Sequence, residues 1–193
     1  MKILALSDTE SNYIYNHFDK ERFKDVSLVL AAGDLKANYL SFLSSMLNVP
    51  VLYVHGNHDS RLIESPPEGC ICIDGRLYVH EGIRILGFGG CMKYKGGPFQ
   101  YTEREMALRI AKNRLKYIKG FDILLTHAPA YELGDGNDLA HTGFKAFTKL
   151  LDRYQPKLMV HGHQHLNYGI FERCIQYKST KIINAYDYTI IEI

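Results

Sequence analysis

Two short stretches gather residue types that coordinate ions and move protons rather than fill a core. Gly56-Asn57-His58-Asp59 supplies an amide oxygen, an imidazole and a carboxylate in succession, and Gly162-His163-Gln164-His165 sets two imidazoles on alternate residues. Asp8 with Glu10, Gly33-Asp34 and His127 extend the same vocabulary. The donors are oxygen and nitrogen with no thiolate. That set suits Mn²⁺ first, with Fe or Zn²⁺ as alternatives, and argues against a cysteine-built structural zinc. There are more donors than one ion takes, so the chemistry implied is that of two divalent metal ions. Two cations roughly 3.5–4 Å apart clamp the attacking and leaving oxygens of an in-line displacement at phosphorus. A hydroxide bridging them is the expected nucleophile, since coordination draws the pKa of water towards neutrality.

The elements that must position these groups are short apolar runs. Ile3–Leu6, Val26–Ala32, residues 51–55, Phe121–Thr126 and Leu158–Val160 each read as a buried strand, and each ends directly in one of the donor groups. Singly, each group has a plainer use. Asp8 and Asp34 could cap helices, His127 could be a satisfied core histidine, and Gly162-His163 could be a turn. Five such endings in register point instead to one crevice at the carboxyl edge of an α/β sheet.

Between the strands, residues 13–23 read as helical, and Leu40, Leu43, Met46 and Leu47 recur at helical spacing until Asn48 and Pro50 stop them. Thr102 and Glu105 form a capping box, opening a helix whose inner face would be Ala107, Ile110, Ala111, Leu115 and Ile118. A further helix, with Phe147, Leu150, Leu151 and Tyr154 inward, stops at Gln155-Pro156. Residues 71–73 and 77–80 read as short antiparallel strands, 83–88 as another, 89–101 as a Gly-rich loop and 166–193 as antiparallel strands. The whole is one α/β domain spanning residues 1–193, its early half alternating strand and helix.

At 193 residues with a net charge of +2, the chain can bury a sizeable core and presents no electrostatic case for nucleic acid or membrane. Its four cysteines have no CxxC spacing and read as buried free thiols in a reducing compartment. Ile3–Leu6 is too short for a signal sequence and no stretch is long enough to span a membrane, so a cytoplasmic location is expected.

Asp8-x-Glu10, Gly33-Asp34, Gly56-Asn57-His58-Asp59, His127 and Gly162-His163-x-His165, in that order, resemble the calcineurin-like metallophosphoesterase family, in a small bacterial or archaeal-type subgroup. The resemblance implies a two-sheet α/β/β/α sandwich and a phosphoesterase acting on monoesters or diesters. It implies one metal held by Asp8, Glu10, Asp34 and His165, and another by Asp34, Asn57, His127 and His163. His58 would protonate or stabilise the leaving oxygen, with Asp59 orienting its ring.

The family usually has histidine where this chain has Glu10. The extra negative charge would favour Mn²⁺, an alkaline optimum and diesters over dianionic monoesters. In the Gly-rich loop, Lys93, Tyr94 and Lys95 are candidates to meet the phosphate or base of a small phosphorylated substrate, against a plain solvated loop, and Asp138 with His141 are candidates for the rim of the crevice, against helix entry with Thr142 as N-cap. Two other readings share the fold. A nuclease would want a basic stripe that a compact chain at +2 lacks, and a protein-interaction scaffold would be expected to have lost ligands that are all kept here.

Overall fold

A computed structural model describes residues 1–166 and 172–193 of the chain. In order, the first half comprises β1 (Lys2–Ser7), α1 (Asn12–Asn16), α2 (Lys20–Phe23), β2 (Val26–Ala31), α3 (Ala37–Leu47), β3 (Val51–Tyr53), β4 (Cys70–Cys72), β5 (Leu77–His80) and β6 (Ile83–Phe88). Then follow β7 (Cys91–Met92), β8 (Gln100–Tyr101), α4 (Glu103–Asn113), β9 (Ile123–Thr126), α5 (Lys145–Tyr154), β10 (Leu158–His161), β11 (Cys174–Tyr177), β12 (Thr180–Asn184) and β13 (Asp187–Glu192). Single 3₁₀ turns span Asp59–Ile63 and Arg114–Tyr117.

The strands form two mixed sheets, ordered β13-β1-β2-β3-β4 and β11-β12-β10-β9-β6-β5, with β7 and β8 as a separate ribbon. Alternation along each strand builds the layers. Ile3, Ala5, Leu28, Leu30 and Leu52 of the first sheet meet Ile85, Ile123, Leu125, Leu158 and Val160 of the second in one buried cluster. The opposite faces take the helices. Leu4, Leu6, Val29 and Ala31 pack with Ile14, Tyr39, Leu40 and Leu43, while Leu86, Leu124 and Met159 pack with Met106, Phe147, Leu150 and Leu151. The result is the expected two-sheet α/β/β/α sandwich. Among the described residues no helix is long and apolar enough to cross a membrane.

Several local expectations are corrected. The helix read over 13–23 is two short ones, broken before Asp19, whose carboxylate accepts from the Glu21 amide and restarts the helix. β4 is parallel to β3 in the first sheet, not antiparallel to β5, which belongs to the second. In the tail, β11 is antiparallel to β12 and β13 antiparallel to β1, but β12 also lies parallel to β10; residues 167–171 of that stretch lie outside the described ones.

The capping box at Thr102 is present, yet the predicted inner face of α4 is largely outward, with Leu115 84% exposed. Met106 and Tyr117 are buried instead. Ala107 and Ala111 are already exposed within α4, and the 3₁₀ turn after Asn113 takes Leu115 and Ile118 further out of phase with a 3.6-residue stripe. Of the cysteines, only Cys91 is buried, because β4 and β11 are edge strands that leave Cys70 and Cys72 partly exposed and Cys174 exposed.

Candidate metal centre

The donor groups sit at strand ends, and the backbone there is bent out of the ordinary regions to aim them. Asp8, Asp34 and His163 all adopt positive φ, at 62°, 57° and 67°. Such left-handed non-glycine residues cost of order 1 kcal/mol each and cluster at functional sites. Hydrogen bonds hold the bends in place. The Asp8 amide donates to Gly33 O (3.1 Å), the Gly162 amide to His127 O (2.9 Å), and the His163 amide to Asp8 Oδ2 (2.9 Å). Two glycines are required by proximity. A Cβ on Gly56 would collide with the Asp34 carboxylate, and one on Gly162 would lie 2.6 Å from Asp8 Oδ2.

One ligand atom from each of Asp8, Asp34 and His127 lies within 4.8 Å of the others. His127 is fully buried, and its Nδ1–H donates to Ala32 O at 2.8 Å. That fixes the tautomer and turns Nε2 towards Asn57 Oδ1 (3.0 Å) and Asp34 Oδ2 (3.5 Å), both of which are acceptors. Asp8 Oδ1 is buried, accepts no hydrogen bond and lies 3.7 Å from His165 Nε2. With the His127 ring neutral, the Nε2 lone pair faces two acceptor oxygens, an arrangement that a cation between them would satisfy. Burial opposes charge on the His127 ring most strongly, yet the Asp34 and Asp8 carboxylates overcome it and raise its pKa. Asp8 shows the reverse balance, with burial resisting ionisation and His165, His127 and Ser7 holding its pKa below the ordinary value.

His163 donates Nε2–H to Ala140 O at 2.7 Å, leaving Nδ1 as a lone-pair donor. Burial pushes its pKa down to about 3, so the ring is the neutral, ligating form. His165 is half exposed, and the Asp8 carboxylate raises its pKa. Asp8, Asp34, Asn57, His58, Tyr94, His141, His163 and His165 together line a cleft of about 420 Å³. Its donor set fits a hard or borderline divalent ion.

The other expected site residues fall in different places. His58 is exposed at the mouth, its amide donating to Asp34 Oδ1 (2.8 Å). Among the described residues Asp59 makes no hydrogen bond to the His58 ring; its Oδ2 accepts from the Gly56 amide (2.7 Å) and the Asp34 amide (2.9 Å). It braces two strand ends rather than orienting an imidazole. Glu10 is outside the cleft lining, with Oε1 3.0 Å from Lys36 Nζ. Tyr94 is in the cleft with Lys95 Nζ 5.3 Å from its ring, whereas Lys93 contributes a backbone bond to Tyr101 and is not part of the lining.

His141 reaches the rim, its Nδ1 2.7 Å from Asp138 Oδ2. Thr142 does not cap α5; its hydroxyl donates to Asp138 O and the N-cap is Phe144. Sequence reasoning missed a brace behind the centre. Asp74 accepts from Arg109 (2.7 Å) and from the Gly89 amide (2.8 Å), and lies 3.5 Å from His55, whose ring stacks on Phe99. The signal available was a histidine inside an otherwise apolar strand.

A family model described as calcineurin-like phosphoesterase matches residues 1–167. The chain belongs to that family. One solved structure aligns at TM-score 0.71 with 14% identity, over 98% of this chain and 94% of the other. TT1561 of Thermus thermophilus aligns at 0.66 with 16% identity, over 96% and 89%. GAP50, the anchor in the inner membrane complex of Plasmodium, aligns at 0.51 with 11% identity, over 95% and 70%. At these identities the likeness is one of fold. No curated protein matches the chain.

Proposed function

We propose that the protein is a dinuclear metal-dependent phosphoesterase acting on a small phosphorylated substrate. The observation that carries this is the convergence of Asp8, Asp34 and His127 on one buried point, with Asn57, His163 and His165 in the same cleft and His58 at its mouth. Asp34, Asn57, His127 and His163 would hold one ion. Asp8, Asp34 and His165 would hold the other, with Glu10 joining them if it leaves Lys36. Mn²⁺ suits this set first, with Fe or Zn²⁺ behind it. When bound, such ions polarise phosphoryl oxygens and acidify water.

The chain's own residues supply the rest. His58 stands where it can donate a proton to a leaving oxygen. Asp59 fixes the Gly56 and Asp34 backbones so that Asn57 and Asp34 point into the cleft. Asp138 holds His141 against the rim.

The test is metal content of the purified chain, with turnover of p-nitrophenyl phosphate and its bis-ester in Mn²⁺. His58→Ala should keep its metal and lose about 10²–10⁴ in kcat. A wild-type chain that binds no divalent ion would refute the reading. A scaffold role is favoured by one observation, the outward apolar stripe at Leu108, Leu115 and Ile118 on and after α4. Bound metal without turnover would move the reading there.

A further inference from the structure

A second cavity, of about 800 Å³, opens on the other side of His58. Asp34 and His58 belong to the walls of both cavities, so the proposed proton donor stands on the boundary between them. The second cavity is floored by Leu35 and Leu62 and edged by Lys36, at the start of α3, and Arg61, on the 3₁₀ turn. We infer that the leaving group of the substrate lodges in this second cavity and carries a phosphate of its own, held by Arg61 and Lys36; this rests on the hydrolytic reading above.

Three considerations lead there. A general acid must come within hydrogen-bond reach of the leaving oxygen, so the leaving group passes over His58. In the step itself, water adds its oxygen to phosphorus and the bond to the leaving oxygen breaks. That oxygen takes its proton from His58, which regains one from the attacking water. Size comes second: a cavity of this volume is that of a nucleotide-sized ligand.

Charge is third. The Arg61 guanidinium makes no hydrogen bond or ion pair among the described residues. Lys36 caps α3 without a side-chain cap bond, and the amides of Tyr39 and Leu40 both turn to Lys36 O. Among the described residues the Ala37 and Asn38 amides have no hydrogen-bond acceptor, at the positive end of an 11-residue helix. Of the acids in the wall, Asp59 is already occupied by two amides and Asp34 faces the metal centre; Glu64 opposes an anion there, and Glu10, outside the wall, pairs with Lys36 Nζ at 3.0 Å, so Arg61 is the uncompensated cation and Lys36 joins it only on leaving Glu10. Leu35 and Leu62 offer a base or other flat group an apolar seat. A nucleoside diphosphate, cleaved to phosphate and the monophosphate, has all of these features.

The experiment is binding calorimetry on the Mn²⁺-loaded full chain. It compares inorganic phosphate with α,β-methylene ADP, which cannot be split at its bridge. Wild type should bind the analogue about tenfold or more tightly than phosphate, the yield of a charge-assisted contact pair. Arg61→Gln should abolish that preference while phosphate affinity and metal content hold, and Arg61→Lys should restore part of it. The Arg61 side chain is at the surface, so folding is not at stake. Equal affinities for the two ligands in the wild type, or a preference surviving in Arg61→Gln, would overturn the inference. Arg61-dependent binding of the analogue, with neither ADP nor p-nitrophenyl phosphate hydrolysed, would uphold the site and remove the hydrolytic reading.

Discussion

Replacing Asp59 with alanine separates bracing from ring orientation. The residue is 6% exposed, and one carboxylate oxygen takes two backbone amides, from Gly56 at 2.7 Å and Asp34 at 2.9 Å. Hydrogen bonds to a charged group contribute about 1.5–3 kcal/mol each. Against that stands desolvation. Burial, reinforced by the Asp34 charge, raises the Asp59 pKa, so the site taxes the ionised form even as the amides favour it. The net loss in Asp59→Ala is therefore nearer one strong bond than two, about 3 kcal/mol. In a chain of this length that is a fall in Tm of about 6–12 °C. Because the two amides flank Asn57 and Asp34, Mn²⁺ affinity should drop about 10–100-fold as well.

Asp59→Asn keeps an acceptor oxygen for both amides and removes the desolvated charge, so it should melt close to wild type and keep its metal. Thermal melts of the metal-free protein and a Mn²⁺ titration measure both effects. An alanine variant within about 2 °C of wild type with unchanged metal affinity would refute the brace. Asparagine retaining its metal yet losing turnover as fully as alanine would return Asp59 to the role of orienting His58.

Two further predictions follow from burial and from the cleft lining. His161 is buried and its pKa is pushed down to about 4. The unfolded ring titrates near 6.5, so stability is unaffected above that pH and falls as the unfolded chain takes up a proton the folded one refuses. The loss should reach roughly 3 kcal/mol by pH 4, where the folded ring also begins to protonate. Urea midpoints of the metal-free protein should show the decline, and His161→Phe should flatten it; an equal slope in the variant would assign the effect to other groups. Tyr94→Ala should raise KM for a phosphorylated substrate about three- to tenfold, an aromatic contact's worth, and Lys93→Ala should leave it nearly unchanged. The opposite order would put the lysine, not the ring, against the substrate.

What the chain shows in its sequence is where order stops. An apolar run such as Val51–Val54 reads as a buried strand, and the polar Asn57, His58 and Asp59 directly after it mark a donor cluster at its end, so each strand and its donors were legible together. The bends that aim those donors were not. Asp8, Asp34 and His163 look like ordinary residues in sequence, and their left-handed backbone follows from contacts between distant strands, such as Asp8 to Gly33 and His163 to Asp8. Membership of a sheet was equally hidden. Cys70–Cys72 and Leu77–His80 are both short and apolar, and only the long-range partner, β3 or β6, separates them. On α4 the stripe read from the sequence lay on the wrong face, since Ala107 and Ala111 are exposed and Met106 is the buried position, and the 3₁₀ turn after Asn113 carried Leu115 and Ile118 outward as well.

Glu10 shows the same limit in electrostatics. Counting ligands alone, a glutamate in place of histidine removes one unit of positive charge from the centre. The structure adds a cation that ligand counting leaves out, with Lys36 Nζ 3.0 Å from the Glu10 carboxylate and two residues beyond Asp34. While that pair holds, the two charges cancel locally, and the centre keeps the electrostatics a neutral histidine would give it. The expected alkaline optimum and diester preference then have no source. They return only if a bound ion draws Glu10 off Lys36, and the same movement would leave Lys36 uncompensated at the edge of the second cavity. The position of one carboxylate thus sets the charge on both sides of His58, which no reading of residue types in sequence could have ordered.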